Sequence, residues 1–519
     1  MDRGIDLGKR IQRSVAQTAV LMAVLTLISK LFGFVREMIL AGFFGANYIV
    51  DAYVMSNTIL TTLFGGIIVA ISTAYMPLFS QISEEEGKDE GDRFTSSIMY
   101  LLILITIGIS LIGIIFSNQI VMIFASGFKG ETAKIAVFFI KILFSYIIFS
   151  SIAGILESYL QYKGIFIPQI ISGYFISICM SIGIIISAYT NSYYLAFGTL
   201  AGHFLRCLVV AYFARKNGYK QQRKIKLEKN LKELFKLAFP VFIGSYITYI
   251  NLFIDKTLAS NLAEGSIAAL NYASLLNVMI INVTITILST IIYPKLSQAN
   301  SLKQKSRFNE LVSTGFNLVV IIGIPCSLGA MIYNTQAIQI IYERGSFDRL
   351  ATSMTASAFM YYAAGMIFIA ANEYVVRVFY SIKDMKTPMI LGSISIIINI
   401  ILNLILVNFM EHNGLALGTS IAAVINFAQL MFCLKRKHAD IRIIASKKKL
   451  CKIIIAAIAA IIGSYISYSL IIDYMSRIIV ARVIQLGLAV LVAVCLYLLL
   501  LVVFKIEEVK LIKQIIKGR

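Results

Sequence analysis

Met76-Pro77-Leu78-Phe79-Ser80-Gln81 returns as Tyr293-Pro294-Lys295-Leu296-Ser297-Gln298, about 220 residues further along the chain. Two more landmarks return at nearly the same interval: Leu195-Ala196-Phe197-Gly198-Thr199 as Leu415-Ala416-Leu417-Gly418-Thr419, and Pro168 as Pro388. One short match can arise by chance in apolar sequence, but three in the same order and register mark duplication of a whole unit. The sequence around them is 59% hydrophobic and 14% charged, with a mean hydropathy of +0.83. Such a chain belongs in lipid, which excludes a water-soluble enzyme.

A helix needs about 20 apolar residues to cross a bilayer, and about fourteen stretches of that kind can be counted. Their centres lie near Ile28, Ile67, Ile105, Ile148, Ile178, Phe204, Ser245, Ile281, Val320, Ala364, Ile397, Val424, Ala460 and Val492. The expected fold is an all-α polytopic membrane protein of about fourteen transmembrane helices, built as two parallel six-helix repeats plus two C-terminal helices. The expected layout is an N-terminal six-helix lobe (1–214), a basic linker (215–231), a second six-helix lobe (232–434), a basic loop (435–452), and two further helices with a basic tail (453–519). An even number of spans per repeat makes both copies enter from the same side, with substrate expected between them. Two segments, Asn118 to Phe128 and Thr335 to Phe347, are too short to cross and read as amphipathic turns on the outer surface.

The net charge of +21 is mostly topology. Arg215 to Lys232 and Lys435 to Lys452 carry eight basic residues each, and Lys505 to Arg519 carries five. The loops between them are nearly bare, so both termini are expected in the cytoplasm. Arg3, Lys9, Arg10 and Arg13 precede the first span and no small-residue cleavage site follows it, which predicts a retained helix. The basic runs are short interspan loops, so membrane lipid rather than nucleic acid is the expected partner. The six cysteines are scattered along the apolar sequence and the three histidines stand in separate segments, which gives no disulfide framework, metal cluster or catalytic triad. The expected protein is a transporter that acts as a monomer, not an enzyme.

Charges inside spans cost about 2.5–3.5 kcal/mol each on insertion scales and therefore mark function or compensation. Lys30 and Arg36 in span one, Asp51 at the start of span two and Lys256 in span seven are the candidate substrate-binding residues, lining a wet cleft for an anion. Their other reading is mutual neutralisation, Arg36 with Glu37 or Asp51. Glu373 and Arg377 stand four apart and can pair on one helix face. Glu157 occupies the position equivalent to Arg377, which leaves pairing across the halves open. Lys141 and Arg206 show no evident partner. Asp255, Asn399, Asn403, the Leu415 carbonyl near Gly418, and Thr419 offer hard oxygens suited to sodium, or else interhelical hydrogen bonds.

The run from Leu27 to Glu37 (LISKLFGFVRE), then Phe44-Gly45-Ala46 and Asp51-Ala52-Tyr53, resembles the MurJ/MviN family. The likeness continues through Asn271-Tyr272-Ala273, Glu343-Arg344-Gly345-Ser346-Phe347 and Thr387-Pro388, and so covers essentially the whole chain. It implies the MOP exporter fold, a cationic cavity, a groove from the last two helices for a polyprenyl tail, and translocation of lipid II across the bacterial cytoplasmic membrane by alternating access. Arg36 and Asp51 fall on family positions important for function, and Lys30 stands where the family usually has Arg. The family arginines near Thr62 and near Leu275 are missing, and Asn403 stands where an acidic residue can occur. Flipping of another polyprenyl-pyrophosphate glycan is the alternative within the fold. A drug-cation antiporter would need an acidic cavity, and a glycosyltransferase would need acidic catalytic residues on a large outer loop.

Overall fold

A computed structural model describes residues 2–222, 228–444, 446–472 and 479–508. The linker residues 223–227 and the tail beyond Glu508 lie outside the described residues, as do the side chains of Arg3, Lys9, Arg10 and Arg13.

The described residues are helical almost throughout. In order, the helices begin with α1 (Asp2–Phe44), then α2 (Tyr48–Leu60), a π-turn (Thr61–Gly65) and α3 (Gly66–Glu85), of which the last three form one span. They are followed by α4 (Lys88–Ile115), α5 (Ser117–Phe124), α6 (Gly130–Leu143), α7 (Tyr146–Tyr162), α8 (Ile167–Tyr189) and α9 (Tyr194–Lys216). The second series is α10 (Glu228–Ser260), α11 (Ser266–Ser301), α12 (Lys305–Ile332), α13 (Asn334–Tyr342), α14 (Arg349–Ser381) and α15 (Lys386–Lys437). Two last helices, α16 (Lys447–Ile472) and α17 (Ile479–Val503), complete it.

All fourteen expected centres fall inside helices. Among the described residues, 10 helices are long and apolar enough to cross a membrane, or 11 if the pair α6 and α7, bent by 42°, is one span. The count falls short of fourteen partly because α15 holds two of the centres in one 52-residue run. That run breaks at Glu411, whose φ of 51° and ψ of −133° leave the helical region. Beyond the break the arm folds back on itself: Ser395 donates to the Ala422 carbonyl at 3.2 Å, and a Cβ at Gly414 would collide with the Leu406 carbonyl.

The duplication is visible in packing. In the first repeat Gly183 of α8 meets Gly198 of α9, where a Cβ on Gly183 would stand 2.7 Å from the Gly198 Cα. In the second, the equivalent pair is Asn403 and Gly418, one on each arm of α15, again in direct contact. Small residues let membrane helices approach closely, so the repeated Gly-Thr motif marks one helix crossing used twice. The short helices α5 and α13 are likewise a repeated pair, occupying the two segments read as too short to cross.

By contact the chain divides into Met1–Ile267 with Arg344–Phe347, and Ala268–Glu343 with Asp348–Arg519. The division does not follow the repeat, because α10, the first helix of the second repeat, packs on α3. The first unit has an aromatic core in which Tyr75 stacks on Phe79 and Phe94 at 5.4 and 5.9 Å. The second is built on α12 and α14, against which α16 and α17 pack through Ala456, Ala457, Tyr497 and Leu501.

Candidate functional site

Lys30 lies on α1 with an exposed side chain. It lines a cavity of about 380 Å³ together with Met22, Thr26 and Ser29 of the same helix and Phe166, Gln169 and Ile170 at the start of α8. Two contacts seat α1 on α8 beside this cavity. The Tyr174 hydroxyl donates to the Leu25 carbonyl at 2.8 Å, and Phe32 meets Tyr174 edge to face at 5.2 Å. Gln161 donates its amide to the Gln169 side-chain oxygen at 2.7 Å, which leaves the Gln169 amide N–H groups available to the cavity.

Arg36 does not share that cavity lining. Six residues beyond Lys30 it is turned by roughly 120° on an ideal helix, toward α8. Its Nε and one terminal nitrogen donate to Glu37 Oε1 at 3.1 and 2.5 Å, and the other nitrogen contacts Met180 Sδ at 3.2 Å. Glu37 is itself buried. Of the two partners the sequence left open for Arg36, Glu37 is the one it takes.

Asp51 serves the backbone instead. It is buried in the first turn of α2, and its Oδ2 accepts the Gly265 N–H at 2.7 Å. This bond is one of several that knit four turns at one end of the first unit. Tyr48 N–H donates to Glu264 Oε1 at 3.0 Å, Ser346 N–H to the Gly42 carbonyl at 2.8 Å, and the Thr257 hydroxyl to the Phe124 carbonyl at 2.8 Å. Gly45 and Gly265 both have positive φ, 68° and 85°, and a Cβ on either would strike a backbone carbonyl, Ser346 or Ala46. Asn47 starts α2 by accepting the N–H groups of Ile49 and Val50.

Lys256 is buried too, with its Nζ 3.4 Å from the Ile267 carbonyl, and Asp255, Asp51 and Glu37 supply the negative charge around it. Of the four expected substrate residues, Lys30 alone faces that open volume, while Arg36 through Glu37, Asp51 and Lys256 share one charged neighbourhood in which Asp51 also fastens a turn.

Four of the expected sodium ligands, Asn399, Asn403, Leu415 and Thr419, lie on α15. Asn399 and Asn403 are buried on the first arm of α15, and Asn403 donates its amide to the Asn399 oxygen at 3.2 Å. The Thr419 hydroxyl donates to the Leu415 carbonyl at 3.1 Å. Asp255 belongs to the other compact unit. Among the described residues no cluster of three or more His, Cys, Asp or Glu is placed to hold a metal ion.

One expectation is corrected outright. Arg206 is not partnerless: its Nε and a terminal nitrogen donate to the two oxygens of Glu157 at 2.9 and 2.8 Å, a bidentate fork inside the first lobe. Glu157 thus pairs within its own repeat. Arg377 likewise pairs with Glu373, at 3.7 Å, as its spacing implied. The pair Glu157–Arg206 was hidden because its members lie 49 residues apart on different helices, and only packing brings them together. Thr26, Ser29 and Gln169 were missed for a related reason: uncharged polar residues in apolar spans carry no signal until a cavity is seen beside them.

A family model described as "Lipid II flippase MurJ" matches residues 40–485. The chain is 27% identical over 442 residues to a protein named probable lipid II flippase MurJ of Buchnera aphidicola subsp. Schizaphis graminum, covering 82% of this chain and 84% of that one. It is 27% identical over 495 residues to the protein of the same name from Rickettsia prowazekii, with 93% and 96% covered. Among solved structures, one titled lipid II flippase MurJ in an inward closed conformation superposes with a TM-score of 0.80 at 26% identity, over 93% of this chain and 98% of that one. An inward-facing MATE family transporter of the MOP superfamily follows the same fold with a TM-score of 0.64 at 13% identity, over 79% and 96%.

Proposed function

The chain belongs to the lipid II flippase MurJ family, and from that premise we infer that it moves lipid II from the inner to the outer leaflet, with Lys30 as the cation that meets the pyrophosphate. The observation that carries this assignment is the difference in setting between Lys30 and Arg36. A pyrophosphate needs a cation it can reach and desolvate together with itself. Lys30 opens on about 380 Å³ of space, whereas Arg36 is already held by Glu37. The ammonium is a compact point charge on a flexible stem, so it suits a ligand that must be taken up and released. Ser29, Thr26 and the free N–H groups of Gln169 surround it with neutral partners for the remaining oxygens.

Carriage by alternating access follows from the exporter fold. Membrane potential contributes about 2.3 kcal/mol per charge per 100 mV, enough to bias reorientation when the bound anion and the cavity do not cancel. The basic loops support cytoplasmic termini and attraction to the anionic inner leaflet, with no nucleic acid as partner. The chain carries this out as a monomer.

For coupling, we propose sodium at the neutral oxygens of Asn399, Asn403, Leu415 and Thr419, which suit a hard monovalent cation. Asn403 now bonds to Asn399, and the Thr419 hydroxyl to the Leu415 carbonyl, so an ion binds there in exchange for those two bonds. Its test is a sodium-dependent thermal shift that potassium does not reproduce and Asn403→Leu abolishes.

The assignment of Lys30 is tested by flipping of fluorescent lipid II in proteoliposomes. Lys30→Ala abolishes it and Lys30→Arg retains it. Equal rates for Lys30→Ala and the parent protein overturn the assignment.

A further inference from the structure

Span two is not wound as one α-helix. Between α2 and α3 the residues Thr61–Gly65 form a π-turn. An i→i+5 turn takes its carbonyls out of the α register, and such turns occur mostly as single turns at functional positions. Here the compensation comes from α10. The Tyr246 hydroxyl donates to the carbonyl of Leu63, in the middle of the π-turn. In return the Thr62 hydroxyl donates to the Tyr249 carbonyl at 3.5 Å.

The next residues are glycines, and the two tyrosine rings use the room they leave. A Cβ on Gly65 would stand 2.9 Å from Tyr249 Cζ, and one on Gly66 would stand 2.6 Å from Tyr246 Cδ2. Phe242 packs against Tyr246 at 4.4 Å, which fixes that ring on α10. Phe64, also within the π-turn, lines an apolar cavity of about 40 Å³ with Ile67, Ile71, Ile105 and Ile147. Unfilled apolar volume is costly in a packed interior, and it gives the Phe64 ring somewhere to go.

We propose that the π-turn of span two and the tyrosine pair of α10 are a two-state coupling between the winding of one helix and the docking of another, which makes Tyr246 and Tyr249 positioning residues of the transport step. While Thr61–Gly65 is π-wound, the Leu63 carbonyl is available to Tyr246 and the glycines lie beneath the rings. Rewinding the turn to α returns that carbonyl to the helical ladder and rotates Gly65 and Gly66 away, so α10 loses both its hydrogen bond and its seat. Lys256 lies ten residues beyond Tyr246, about 15 Å along the axis, and moves with α10. The coupling takes its place in the cycle from the alternating-access reading, but its chemistry does not depend on the cargo.

The experiment uses the full chain in proteoliposomes, with spin labels at the exposed positions Val69 and Phe239 and pulsed distance measurement without cargo. Tyr246→Phe, Thr62→Val and Gly66→Ala each shift the distribution toward longer separation. They slow lipid II flipping by about tenfold or more, while the unfolding midpoint stays within about 2 °C of the parent. Unchanged distributions in Tyr246→Phe and Thr62→Val overturn the coupling, and so does loss of flipping that appears only with a lowered midpoint. A distance shift in a chain whose parent form flips no lipid II leaves the coupling standing and overturns the cargo assignment instead.

Discussion

Arg36 gives two of its nitrogens to a single oxygen of Glu37, its neighbour in sequence, at 3.1 and 2.5 Å. Adjacent residues on a helix normally diverge, so both side chains must bend toward one place, beside Met180 of α8. The pair is nearly out of water, with side-chain exposures of 21% and 9%. The Met180 contact sets Arg36 against α8, and Lys30, about one and two-thirds turns away, faces the cavity. Arg36→Ala is therefore expected to cost about 2 kcal/mol of stability by stripping a buried carboxylate of its guanidinium. Arg36→Ala with Glu37→Ala recovers most of that loss, and thermal unfolding in detergent is the check. Lys30→Ala leaves the midpoint unchanged.

The fork between Arg206 and Glu157 is the same kind of device, at 2.9 and 2.8 Å across α9 and α7. Arg206→Leu or Glu157→Leu alone strands a charge in the lobe and is expected to lower stability by about 3 kcal/mol, while the double substitution is much milder. The non-additivity of the cycle is the diagnostic quantity. Additive losses contradict a direct pair.

Much of this molecule could be read before any coordinate. The Gly-Thr repeat at Gly198 and Gly418 announced a duplicated unit, and Glu373–Arg377 announced itself by spacing alone. Periodicity and spacing report what one helix does. They could not pair Glu157 with Arg206, because that contact depends on which faces of two helices meet. They could not show that Arg36 turns inward while Lys30 stays open, since both are cations in one apolar run. The π-turn also left no trace, because five residues wound one step differently have the same composition as an α-turn.

Asp51 and Gly265 tie the turns at one end of the first unit by a 2.7 Å bond. Asp51→Ala leaves the Gly265 N–H buried without that acceptor, at a cost of about 1–3 kcal/mol. Gly265→Ala reaches the same result through the backbone, since φ is 85° and the new methyl meets the Ala46 carbonyl. Both variants are expected to raise thiol-reagent labelling of a cysteine introduced at Ala259, which is buried in the last turn of α10 beside this turn. Parent-level labelling in both contradicts the fastening role.

Outside the spans, Asp384 ties together the two ends of α15. Burial pushes its carboxyl up, but the Thr387 hydroxyl at 2.6 Å, the Thr387 N–H at 3.0 Å and the Lys437 ammonium at 3.6 Å outweigh that and hold it below the ordinary carboxylate range. A depressed carboxyl stabilises the folded state at any pH above its unfolded value, near 3.9, and that contribution is lost as pH falls through the lower folded value. Asp384→Asn is therefore expected to destabilise modestly at neutral pH, since solvent screens a partly exposed pair. The gap from the parent closes in acid, and unfolding midpoints measured across pH follow it. A gap that widens in acid has the wrong sign.

The most direct measurement takes cells in which this chain is the only lipid II flippase and asks how much lipid II can be reached from outside by an impermeant probe. Cells carrying the parent protein or Lys30→Arg should expose it, and cells carrying Lys30→Ala at equal abundance should accumulate it on the inner leaflet. Full external labelling with Lys30→Ala contradicts the account that one reachable cation between α1 and α8 receives the pyrophosphate.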